Sequence, residues 1–153
     1  MRLLRVVLAL AAFAVVLVLA EPASASTTKY HATFVEVGGL LPGGVGSCGS
    51  ATISGLGHVA FQCVAFDACG TNCEVRTIDF GDGNTLVMHE SIVGVITPGN
   101  SSSAGANAPM WFEITQTIVG GTGEFAGASG SGTGRVNLAA NAVITTSGTI
   151  TLP

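Results

Sequence analysis

From Thr28 onward the chain repeats one pattern: short stretches rich in Val, Ile, Thr and Phe, separated by clusters of Gly, Asn, Asp and Ser. Positions that alternate with a period of two place successive side chains on opposite faces of an extended strand. A helix would need apolar residues three and four apart, and no such run of useful length occurs. The pattern predicts strands near 28–37, 47–54, 58–66, 74–80, 85–97, 111–119, 131–139 and 142–151. In the sixth, Phe112, Ile114, Gln116 and Ile118 share a face expected to point inward, opposite Trp111, Glu113, Thr115 and Thr117. In the fifth, Leu86, Met88, Glu90 and Ile92 oppose Val87, His89, Ser91, Val93 and Val95, and neither face is clean. The connections carry turn chemistry: Asp82-Gly83-Asn84 is a hairpin signal, Gly55-Leu56-Gly57 offers two residues free to take positive φ, and Asn141 separates the last two strands. Pro98 to Pro109 reads as the longest loop.

About eight short strands joined by tight turns favour antiparallel neighbours. The fold class expected is all-β, a single antiparallel barrel of about eight strands, with a two-sheet β-sandwich as the alternative. A barrel of this size is either filled by side chains or holds one small ligand, and closure removes the edges that would recruit other chains.

The first 25 residues do not follow this pattern. Arg2 and Arg5 precede an unbroken apolar run from Val6 to Ala20, and Ala23-Ser24-Ala25 supplies the small residues a signal peptidase accepts. The run is shorter than the ~20 residues of a spanning helix. A signal peptide over 1–25 and a single secreted domain over 26–153 are expected, with no membrane attachment after cleavage. Four cysteines follow the leader, and an even number in a small exported domain points to two disulfides. A hairpin folded at Gly55–Gly57 brings Cys48 opposite Cys63, and Cys69–Cys73 then clasps the loop Gly70-Thr71-Asn72. The rival, a four-thiolate zinc site, lacks the paired C-x2-C spacing of zinc ribbons. Neither a metal nor a cofactor is expected.

After the leader only Lys29, Arg76 and Arg135 are basic, against eight acidic residues, a formal charge of −5. Three scattered cations do not neutralise a run of phosphates, so a nucleic-acid partner is excluded. Arg76, Glu74, Asp79 and Asp82 surround one hairpin, where a cross-strand pair is expected to be exposed and to contribute only ~0–1 kcal/mol. Asp79-x-x-Asp82-x-Asn84 lacks the glycine and distal glutamate of a calcium loop and reads as turn chemistry. His31, His58 and His89 read as solvated strand residues, and His89 and Glu90, being adjacent, face opposite ways. No serine sits in a G-x-S-x-G elbow, and no convergent acid–base set stands out.

Gly121-Thr122-Gly123-Glu124-Phe125-Ala126 superficially matches a dinucleotide fingerprint. More glycines follow where the helix should begin, and no acid lies at 140–146 to hold a ribose. A glycine-rich β–turn–β connection, with Phe125 plugging one end of the core, is expected instead. The run Ile118-Val119-Gly120-Gly121-Thr122-Gly123-Glu124-Phe125-Ala126-Gly127-Ala128-Ser129-Gly130 resembles the GGTG-x-F-x-x-A-x-G element of dirigent proteins and allene-oxide-cyclase-like barrels, and the likeness extends over roughly 118–151. The resemblance implies a calycin-type eight-stranded barrel with a central cavity, in families whose members guide phenoxy-radical coupling or cyclise an epoxide. The matched element is structural there, so it assigns no catalytic residue. Two functions follow as expectations. One is non-catalytic binding of a small apolar ligand or a surface partner, with Phe112, Ile114, Gln116 and Glu90 lining the cavity. The other is a barrel enzyme in which Glu90, Gln116 or Glu113 steers the cyclisation or coupling of a small substrate. The sequence does not specify an oligomeric state.

Overall fold

The computed structural model describes residues 24–38, 41, 45–96, 111–137 and 142–153. The leader before Ser24, the loop expected at 98–109 and the turn expected at Asn141 lie outside the described residues. Eight strands close into one antiparallel barrel in chain order: β1 (Ser26–Gly38), β2 (Gly46–Ile53), β3 (Phe61–Gly70), β4 (Cys73–Gly81), β5 (Asn84–Ile96), β6 (Trp111–Thr122), β7 (Ser129–Asn137) and β8 (Ala142–Leu152). The barrel alternative holds and the sandwich does not. Closure is made by β1 and β8, paired from Ser26↔Leu152 to Glu36↔Ala142, so neither terminal strand leaves an open edge.

Period-two alternation sets the faces. On β1, Tyr30, Ala32, Phe34 and Glu36 are buried while their neighbours are exposed or half-buried. On β5 the ambiguous alternation resolves with Leu86, Met88 and Glu90 buried inside and Val93 and Val95 exposed outside. The third strand starts three residues later than predicted, because Gly57 still bridges Ile53 and Ala60 only then donates to the carbonyl of Asp79. It also runs four residues further, through a register shift between Ala65 and Gly70 at which Asp67 takes a φ of 53°.

One end of the barrel is packed solid. Phe125, carried on the 3-10 turn Gly123–Phe125, stacks on Phe80 with ring centroids 4.5 Å apart and joins Ile53, Val59, Ile78, Leu86, Ile118 and Ile150 in the core. This is the plug expected of the glycine-rich connection. The Asp82-Gly83 hairpin docks there: both residues have positive φ, as a primed turn requires, and Thr122 Oγ1 donates to the Gly83 carbonyl while Asn84 Oδ1 accepts from the Glu124 N–H. A Cβ on Gly123, whose φ is 58°, would run into the Asn84 side chain, so the glycine permits both the backbone and the contact.

Two disulfides staple the hairpins. Cys48 and Cys63 are direct cross-strand partners, Cys69 and Cys73 close the β3–β4 turn, and among the described residues no cysteine is free. The bridges agree with an extracellular location. No described helix is long and apolar enough to cross a membrane.

Candidate functional site

The barrel interior is apolar at its plugged end and carries charge farther along. Arg76 of β4 is 1% exposed and lies inside, on the same face as Ile78. Its Nε and Nη2 donate to the two carboxylate oxygens of Glu90 at 2.8 Å each, a bidentate pair, and Nη1 donates at 2.5 Å to both Glu36 Oε1 and Gln62 Oε1. The Phe34 ring covers one face of the guanidinium, its centroid 4.2 Å from Cζ. Four of five N–H donors are therefore committed. Ser47 donates to Glu36 Oε2 at 2.5 Å, and Gln116 donates to Glu90 Oε1 at 2.6 Å while accepting from the Tyr30 hydroxyl at 2.8 Å. Tyr30 reaches this position because β7 passes it as Gly132, where a Cβ would collide with its hydroxyl oxygen.

This network corrects two expectations. Arg76 does pair with an acid on the neighbouring strand, but the pair is buried rather than exposed, because the arginine takes an inward position of β4. Glu90, expected inside, is 2% exposed, while His89 faces the other way as the alternation requires. The interior does hold a convergent set of ionisable groups. Their partners come from all six strands β1 to β6, and no local spacing reveals that.

Beyond Arg76, toward the end where β1 reaches Gly38 and β8 begins at Ala142, lies a cavity of about 400 Å³. Ile92, Phe112, Ile114, Val136, Ala142 and Ile144 form its apolar wall. Glu36, Ser47, Glu74 and Arg76 bring polar atoms to it, and Phe66 also lines it. Of the four residues expected to line a cavity, Phe112 and Ile114 do so. Gln116 and Glu90 share the interior but lie in the polar network with Tyr30 and Arg76. Glu113 is on the outer wall, half-exposed, with Arg135 at 3.7 Å, so the enzyme role expected of it is not available from inside. It borders a larger recess of about 510 Å³ among the hydroxyls of Thr115, Thr133, Thr145 and Ser147. That recess lies on the barrel exterior, more open to water, where its ion pair is weak. The interior cavity is the better candidate.

Glu74 differs from the other interior acids. No hydrogen bond or salt bridge among the described residues engages its half-buried carboxylate. Burial first, and the Glu90 carboxylate opposite it on β5 second, push it from the ordinary 4.5 up to about 7; Arg76 pulls the other way, and Glu36 and Asp67 add to the rise. Burial and Glu90 likewise push the Tyr30 phenol up to about 12. For Arg76, burial opposes the charge, but Glu90 and Glu36 outweigh it and raise the guanidinium above its already high value. A ring nitrogen of His89 lies within 4.8 Å of both Cys69 and Cys73 sulfurs; these are bonded to each other, so neither is a free thiolate. The Asp79 and Asp82 segment makes turn contacts, Asp79 Oδ1 accepting from the Gly81 N–H at 2.7 Å.

Sequence reasoning missed Glu36, Gln62, Glu74 and Arg76 as interior residues. Face parity was the signal that could have found them. Glu36 falls on the Tyr30, Ala32, Phe34 face, Gln62 on the face of Val64, and Glu74 and Arg76 on that of Ile78. In comparisons with known proteins, no family model, no curated protein and no solved structure matches this chain.

Proposed function

We propose that this protein is an exported barrel that binds a small, largely apolar molecule in the cavity between Arg76 and the end of the barrel where β1 reaches Gly38 and β8 begins at Ala142. One observation carries the reading: a cavity of about 400 Å³, within the ~300–1,000 Å³ range of small-molecule sites, has an apolar wall and a few polar groups gathered on one side. The apolar wall supplies affinity by releasing surface from water, and the polar groups orient one end of the ligand. Native mass spectrometry of protein purified without detergent tests this. A retained lipophilic mass is expected, lost when Ala142→Phe fills the cavity. Consistently empty protein, with no thermal stabilisation by any member of a lipophilic panel, overturns the reading.

A second reading is favoured by the isolated Glu74 carboxyl at the cavity. A group titrating near neutrality is suited to give and take a proton at physiological pH. Together with the glycine-rich element that resembles dirigent and allene-oxide-cyclase-like barrels, this supports an enzyme that folds a reactive substrate against the apolar wall and steers its cyclisation or coupling. Glu74 would be the acid–base residue, in place of Glu113. Ligand recovered chemically unchanged after long incubation favours the carrier. Conversion that Glu74→Gln abolishes, with binding retained, favours the enzyme.

A further inference from the structure

We infer that the ligand of this cavity is a lipophilic amine, held as its ammonium ion against the Glu74 and Glu36 carboxylates with its hydrocarbon part on the apolar wall. The inference rests on the binding reading above and names its ligand class.

The charge inventory carries it. Three carboxylates, Glu36, Glu74 and Glu90, share this part of the interior with one cation, Arg76. Glu90 takes both Nε and Nη2 of the guanidinium, and Glu36 shares Nη1 with Gln62, so the arginine is already engaged by two acids. Glu74 has no counter-ion of its own. The ionised interior therefore carries a formal charge of −2, and a partly desolvated charge of that kind is expensive unless it is neutralised by a proton or by a cation. An anionic ligand would add to the excess. It would also have to compete for an arginine with four of its five donors in use and one face covered by Phe34. A neutral ligand would leave Glu74 uncompensated. An ammonium ion donates hydrogen bonds to carboxylates, and the cavity's apolar lining, which includes Phe66 and Phe112, suits a cation with an apolar body.

The charged groups set around Glu74 are Glu90 on β5, Arg76 on its own strand, Glu36 on β1 and Asp67 on β3. Three of the four are acids, so the ammonium replaces the proton that Glu74 otherwise holds. Amine binding should accordingly strengthen as the pH rises through about 7, where the carboxylate becomes ionised, and release a proton below that pH.

Isothermal titration of the full exported chain with 2-phenylethylamine, 2-phenylethanol and phenylacetate compares one ring with three end groups. At pH 8 the amine should bind about tenfold or more tighter than the alcohol, and phenylacetate weakest. At pH 5.5 the amine's advantage should shrink severalfold, and heats measured in buffers of different ionisation enthalpy should report proton release. Glu74→Gln should remove most of the preference for the amine over the alcohol. The wild-type pH series carries the same test should that variant not fold. Alcohol binding as tight as amine, or phenylacetate tightest, overturns the amine inference while the binding function stands. Failure of all three probes to bind overturns both.

Discussion

At the level of single residues, Arg76 and Glu74 are opposite solutions to burying charge in a small barrel. Arg76 is enclosed with four of its five donors paired, and such a cluster adds little net stability relative to well-packed apolar residues, yet removing one member leaves the others unpaired. Arg76→Met is expected to lose ~3–5 kcal/mol at neutral pH in urea unfolding. The Glu74 carboxylate has no hydrogen-bond or salt-bridge partner among the described residues and keeps its proton to about 7. Its folded-state value lies above the unfolded one, so the folded protein binds the extra proton between about 4.5 and 7, and stability must fall as the pH rises through that window. Half-exposure screens the effect and limits it to about 1–2 kcal/mol. Glu74→Gln should abolish this part of the pH dependence and make the protein more stable than wild type at pH 8, as thermal melts from pH 4 to pH 8 would show.

At the level of elements, the strands are set by alternation and the hairpins by turn residues and sulfur. The Cys48–Cys63 bridge closes 15 residues of sequence and Cys69–Cys73 only 4. Loop-closure entropy therefore gives the first about 3 kcal/mol and the second about 2 kcal/mol, and paired Cys→Ser replacements should reproduce that order in denaturant midpoints. The plug is equally local in origin. Gly123→Ala puts a Cβ against Asn84 at a backbone φ of 58° and should cost ~1–2 kcal/mol, loosening the contact between the Asp82-Gly83 hairpin and the Phe125 turn. Hydrogen exchange at Glu124, whose N–H bonds to Asn84, would report the loosening, and the cavity at the far end of the barrel should be unaffected.

At the level of the whole molecule, closing β1 on β8 creates both the plugged end and the end that holds the cavity. It completes a wall in which Glu36 lies across the interior from Arg76, 40 residues away in the chain. Ligand held in the cavity should raise the melting temperature in proportion to the logarithm of its concentration, by mass action on the folded state alone. While the pairing of β1 with β8 decided for the closed barrel over the sandwich, the sequence by itself determined the strand rhythm, the all-β class, the favoured partners of all four cysteines and the plug at Phe125. Each depends on period-two alternation, on turn residues or on spacing within a single hairpin. Only the tertiary structure decided where the charges go. An acid or an arginine in a strand reads the same whether it faces water or the barrel interior, and one such residue on an apolar face looks like an interruption. The meaning appears when five strands bring five interruptions to the same place: separately each is a costly buried polar group, and together Glu36, Gln62, Arg76, Glu90 and Gln116 form one hydrogen-bonded network, in which Gln62 Nε2 finds no partner among the described residues and from which the Glu74 carboxylate, beside the cavity, stands apart.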